Sequence, residues 1–319
     1  MKRIVGLLVL VLLLNGCDDG NLVLETINFE EATTQSCSTN NILYKIKEKE
    51  ALLLEIPTNS FTNEPTEIGI PSEITISGSN RVVYRFYNGT VAANNICETI
   101  PPATPSVTDQ WTATGGTIQI ITTVLKTTNT TDNSTKITGY NHNIVFKNIT
   151  FAKANGIQVY ETFPFGNYIT TATNLPFGFD KTIERCAANT PNLLYNYTGS
   201  EALTLDIDPD LIINAVTPLN TPRTGLIGSS TNTLTYRLYA GLIPTSYFCN
   251  TSIPTTPAIN QEWNAIAGVS GISGIVEVTT TTNGTGFKHT ILLKKATLKK
   301  GNSDFSLGDN YIYGELLTN

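Results

Sequence analysis

The sequence predicts an all-β protein made of two tandem, homologous, β-sandwich-like domains, each closed by one disulfide. Three observations predict it. An internal repeat covers most of the chain, two cysteines fall at matched places in each copy, and the composition is poor in charge but rich in Thr, Asn, Ser and Gly.

The repeat is clearest at Tyr84–Trp111, YRFYNGTVAANNICETIPPATPSVTDQW. It aligns without a gap with YRLYAGLIPTSYFCNTSIPTTPAINQEW at Tyr236–Trp263, with ten of 28 positions identical. Upstream, SCSTNNILYKIKEKEALLLEI pairs with RCAANTPNLLYNYTGSEALTLDI, setting Cys37 against Cys186 and Glu50 against Glu201. Downstream, HNIVFKNITF pairs with HTILLKKATL, so that His142 lies opposite His289, and GNYIT at 166–170 is set against DNYIYG at 309–314. A unit of about 145 residues is therefore present twice. Repeated supersecondary units of this kind mark a duplicated architecture. The boundaries that follow are a first β-domain at 26–170 and a second at 171–319.

Each unit reads as short strands. ILYKIKEKEALLLEI is two apolar strands joined by a charged tip at Glu48-Lys49. Thr117–Ile120 and 274–278 are β-branched runs, and each is followed by a polar turn, TTNTTDNST in the first unit and TTTNGTG in the second. Residues 286–299 have enough Thr and Ile to favour a strand over a helix. Short strands with Pro- and Gly-rich connections point to a sandwich or related barrel. A Trp fourteen residues after the second Cys, instead of between the two, departs from the immunoglobulin pattern.

One early and one late cysteine per unit make Cys37–Cys97 and Cys186–Cys249 the economical pairing, with a bridge between the domains as its rival. Charged residues are 14% of the chain, below the usual quarter, and Lys and Arg form no basic stripe, so nucleic acid is not an expected partner.

The chain opens MKRIVGLLVLVLLLNGCDDGN. Lys2 and Arg3 precede an apolar run of eleven residues, Ile4–Leu14, too short to span a bilayer and suited to the h-region of a signal peptide. Leu14-Asn15-Gly16-Cys17 resembles the lipobox of bacterial lipoproteins. That resemblance implies a signal peptide at 1–16, a lipidated Cys17 at the mature N-terminus, and a short tether at 17–25. Loss of Lys2 and Arg3 with the signal takes the net charge from −6 to −8. With Asp18-Asp19 behind the cysteine and the Thr/Asn-rich tandem-β style, the chain is similar to surface-exported lipoproteins of Bacteroidota. This implies attachment to the envelope through the N-terminal lipid, at the outer membrane and the cell surface.

The sequence offers few sites. His142 and His289 recur at one point of the repeat, which favours a structural role over metal binding or general-base chemistry. No His/Cys spacing matches zinc, and no phosphate loop or nucleophile elbow is present. Asp206, Asp208 and Asp210 alternate, but Leu211 and Thr217 stand where a calcium loop needs Gly and Glu. No catalytic residue, metal or cofactor is therefore assigned. Trp111 and Trp263 are weighed as core residues and, alternatively, as stacking platforms for sugars. Residues 57–71 and 208–228, where the units differ, are the expected place for a specific ligand. The leading expectation is a noncatalytic envelope protein with a binding or structural role, its partner a surface glycan or another envelope protein. The alternative is a hydrolase with a carboxylate pair in a cleft between the domains.

Overall fold

The computed structural model describes residues 26–186, 192–250, 252 and 254–319. The lipobox and Cys17 lie outside the described residues. The first unit contains β1 (Gln35–Ser36), β2 (Ile42–Lys47), β3 (Glu50–Glu55), β4 (Ser72–Thr75), β5 (Arg81–Tyr87), β6 (Val107–Thr128), β7 (Thr135–Lys153) and β8 (Gly156–Thr171). The second contains β9 (Glu184–Arg185), β10 (Leu193–Thr198), β11 (Glu201–Asp206), β12 (Arg223–Leu226), β13 (Thr233–Tyr239), β14 (Ile259–Ala265), β15 (Ile275–Asn283), β16 (Gly286–Lys294), β17 (Thr297–Lys300), β18 (Ser303–Ser306) and β19 (Tyr311–Thr318). The expected all-β fold of two units is what forms. The ILYKIK/EALLLE pair is the β2–β3 hairpin, with Glu48 at a φ of 52° in its tip.

Both units have the same topology, although their strands are cut differently. In the first unit one sheet runs β1-β2-β3-β5-β6-β7-β8, with β4 also pairing β6. In the second, β9-β10-β11-β13-β14-β17-β18 form one sheet and β12-β15-β16-β19 another. The two patterns coincide once β6 is read as β14 plus β15, β7 as β16 plus β17, and β8 as β18 plus β19. The long strands of the first unit pass from one layer to the other through a bend at Gly115-Gly116, where the β6–β7 register slips. A side chain at Gly116 would meet the Ile149 backbone at 2.8 Å, and its φ of +120° is open to glycine. In the second unit residues 266–274 interrupt the strand at this point.

The ladders correct one feature of the sequence alignment. Ile144 pairs with Gly166 and Ile291 with Gly314, each beside a bulge. Gly166 is thus equivalent to Gly314, and the NYI shared by 167–169 and 310–312 is out of register. The matched ends are instead Thr170 and Thr318.

Burial explains the unbroken apolar run in β3. Leu52 and Leu54 face the main core with Tyr84, Trp111, Ile118, Ile144 and Phe146. Ala51 and Leu53 face outward, into a second cluster with Tyr44, Val83, Tyr87, Ile96 and Cys37. A strand covered on both faces needs no polar alternation. The second unit repeats this, with Leu203 and Leu205 inward and Ala202 in an outer cluster of Tyr195, Tyr239, Tyr247, Phe248 and Cys186. The cover over each outer face is pinned by a disulfide. These are Cys37–Cys97 and Cys186–Cys249, so the intradomain pairing holds and the interdomain rival does not.

Candidate functional site

Each histidine is fully buried and belongs to a polar cluster that recurs in both units. In the first, Thr122 on β6 meets His142 Nδ1 at 2.9 Å, and His142 Nε2 meets Thr170 Oγ1 at 2.9 Å. Thr170 in turn donates to Asn63 Oδ1 at 2.6 Å. In the second, Thr280 meets His289 Nδ1 at 2.8 Å, His289 Nε2 meets Thr318 Oγ1 at 3.0 Å, and Thr318 donates to Asn214 Oδ1 at 2.7 Å. The loop threonines complete the match. Thr66 and Thr217 both bond, through N–H and hydroxyl, to the carbonyl of Thr122 and Thr280 respectively.

These partners fix the ring's tautomer. Thr170 and Thr318 spend their hydrogens on the asparagine oxygens, so each accepts from the histidine Nε2–H. Nδ1 then accepts from Thr122 or Thr280. In the second unit Arg223 donates to Thr280 Oγ1 at 2.9 Å, leaving that hydroxyl's own hydrogen for His289. Both nitrogens of each ring are thus taken up by hydroxyl groups of the clamp, Nδ1 by the buried Thr122 or Thr280 and Nε2 by Thr170 or Thr318. Burial lowers the pKa of His142 from 6.5 to about 4. Burial also lowers that of His289, with the Arg223 and Arg185 charges adding to the effect. Each ring is a neutral clamp tying the loop at 63–66 or 214–217 to three strands.

The expected ligand region is therefore corrected. Residues 57–71 and 208–228 look unrelated, but from Glu50/Glu201 to Thr66/Thr217 the units run in step without a gap, and both carry Asn-x-x-Thr. That spacing is the one sequence signal that could have revealed the clamp.

A second repeated device lies near the opposite face. Tyr84 donates to Glu50 at 2.7 Å and Tyr236 to Glu201 at 2.8 Å. Glu201 is buried and also accepts the N–H groups of Phe177 and Gly178, at 3.0 and 2.7 Å. This carboxylate fastens the segment that joins the units.

Trp111 and Trp263 are 1% and 3% exposed, so neither presents a face to a sugar. The indole N–H groups donate to Asp109 and Gln261, at 2.9 and 3.1 Å. Lys153 and Lys300 lie over the rings at 4.6 and 5.8 Å. The stacking platform gives way to core packing, because both layers of each unit close on these rings. Of the three alternating aspartates, Asp208 caps the short helical turn Pro209–Leu211 by accepting from Asp210 N–H.

What does not repeat is the seam between the units. Beyond Leu125 the β6–β7 hairpin continues for thirteen residues (126–138), where the second unit turns back in two (284–285). This arm reaches into the second unit. Lys126 pairs with Asp304 at 2.7 Å, Thr135 accepts from Ser306 N–H at 2.8 Å, and Asn133 donates to Asp309 at 2.7 Å. Ile137 and Tyr140 are buried in the second unit's core. Arm, linker and second unit enclose a cavity of about 270 Å³ lined by Asp132, Lys136, Ile137, Phe177, Phe305 and Tyr311, among others. Asp132 is the one acid in its lining, whereas glycoside hydrolysis by paired acids needs two about 5–10 Å apart.

Searches against protein-family models, curated proteins and solved structures find no match to the chain.

Proposed function

We propose that the protein is a noncatalytic, lipid-anchored envelope protein, held to the outer membrane through Cys17 and carrying out a binding role with its paired β-units. The observation that carries the noncatalytic reading is the sealed state of both histidines. Each is buried, has both ring nitrogens bonded to threonine hydroxyls of its own unit, and recurs in a copy where a single active site would need no duplicate. The anchored reading rests on LNGC and the apolar run before it. Two or three acyl chains would hold the protein stably where one gives marginal attachment.

Since the tryptophans are interior, the glycan version of this reading loses its stacking surface, and the seam cavity takes its place as the site where a ligand would sit. The hydrolase version would need a second carboxylate facing Asp132.

Replacing Cys17 by Ser tests the anchor. The variant is expected in the soluble fraction, and its retention in membranes would overturn the reading.

A further inference from the structure

The elements that recur in both units account for folding: the disulfide, the buried Trp, the Tyr–Glu bond and the histidine clamp. The seam cavity is built by what occurs once. Its walls come from three separate stretches, the arm at 132–137, the linker at 175–177 and the second unit at 305–311. At about 270 Å³ it lies just under the range of roughly 300–1,000 Å³ typical of small-molecule sites, so it suits a small ligand.

Its chemistry is aromatic and acidic. Phe177 lies flat on Tyr236 with centroids 4.4 Å apart, and meets Phe305 edge-on at 5.5 Å and Tyr311 at 6.4 Å. Directly behind Phe177 is the buried Glu201 carboxylate, held by neutral donors alone. Asp132 lines the cavity, and Asp309 is tied to the same turn by a bond from its N–H to Asp132 O at 2.7 Å. Among the described residues none of these three carboxylates is in an ion pair. Lys126 is paired with Asp304, which leaves Lys136, solvent-exposed at the rim, as the cation of the lining. Aromatic faces attract cations through their quadrupoles, and more strongly when the site is desolvated.

We propose that the seam cavity binds a small organic cation, an ammonium group carried on a compact apolar body. The apolar part would pack against Phe305, Leu307 and Ile137, with the ammonium facing Phe177, Tyr311 and Asp132. The inference deepens the binding role proposed above and does not depend on the lipid anchor.

Calorimetric or NMR titration of the full chain in detergent with phenethylammonium, benzyltrimethylammonium and phenylacetate tests it. Both cations are expected to bind at least tenfold more tightly than the anion. Asp132→Asn should weaken them several-fold, and Lys136→Glu should tighten them. Leu307→Trp, which fills the cavity, should abolish binding in a folded protein; should that variant misfold, the two charge variants decide. Equal affinity for cation and anion, no binding by either cation, or indifference to the charge at 132 and 136 would overturn the proposal. Failure here, with Cys17→Ser still releasing the protein from membranes, would leave the anchored reading standing.

Discussion

The first unit carries its long strands unbroken from one layer to the other, and the second breaks them. Ile118 follows Trp111 by seven positions, whereas its equivalent Val276 follows Trp263 by thirteen. The six additional residues turn one bent strand into two and leave the core partners in place. At the far end of the same hairpin the asymmetry reverses, for there it is the first unit that has the extra residues. Extra chain at the bend stays within its own unit; extra chain at the tip becomes the arm that joins the two. A duplicated fold thus keeps the residues that each copy needs and acquires its individuality at strand ends, where insertions disturb no ladder.

The disulfides should mark the two copies as independent in kind and equal in size. They close loops of 60 and 63 residues, each worth about 4 kcal/mol in the chain-entropy model. Replacing Cys37 and Cys97 by Ser is expected to lower the stability of the first unit by roughly that amount, and the Cys186/Cys249 pair that of the second. Domain-resolved hydrogen exchange would measure both. A loss confined to the wrong unit, or a negligible one, would break the equivalence.

The histidine clamps come next in size. Each ring is neutral when folded and titrates near its ordinary 6.5 when unfolded, so its contribution is fully present above that pH. It is lost as pH falls through the lowered folded value, about 4 for His142. Replacement of both histidines by Gln, which keeps a donor and an acceptor but cannot titrate, should cost about 1–3 kcal/mol at pH 7. It should also flatten the fall in stability between pH 6.5 and 4. Urea unfolding across that range reports both effects, and an unchanged slope would show that the rings do not titrate as described. Arg223 sharpens the comparison, because the equivalent position in the first unit is Ser72. Arg223→Ser should raise the pKa of His289, by NMR titration, and leave His142 unmoved.

The smallest effect belongs to the ion pair of the arm. Lys126 and Asp304 are partly exposed, and Lys126→Ala should cost less than about 1 kcal/mol, with the difference shrinking in high salt. A larger loss would mean that the arm is held by charge and not by Ile137 and Tyr140.

Much of this was legible in the residues. The repeated unit, the β-strands and the disulfide pairing follow from identities at Tyr, Gly, Cys, Pro and Trp, which align over 28 positions without a gap. The histidine clamp was half legible. His142 and His289 stood out, but their partners are threonines in a Thr-rich chain, and Asn63 and Asn214 sit in stretches that otherwise share little. Only the strand register brings Thr122 and Thr170 to the two nitrogens of one ring. The register of the last strand was misread because NYI occurs in both units, at 167–169 and 310–312, but five residues out of the register that Gly166 and Gly314 set. The arm was hidden for a different reason. TTNTTDNST has the composition of a turn, and composition does not tell how far from its own unit a turn projects.

The central claim is that two copies of one fold are joined by the arm. It is tested most directly by excising residues 126–138, replacing them with the Gly-Thr turn of 284–285, and following unfolding by differential scanning calorimetry. The intact protein should melt with the two units coupled. The excised protein should show two separated transitions, the second unit's lowered by loss of the buried Ile137. A single transition at an unchanged temperature would contradict the account.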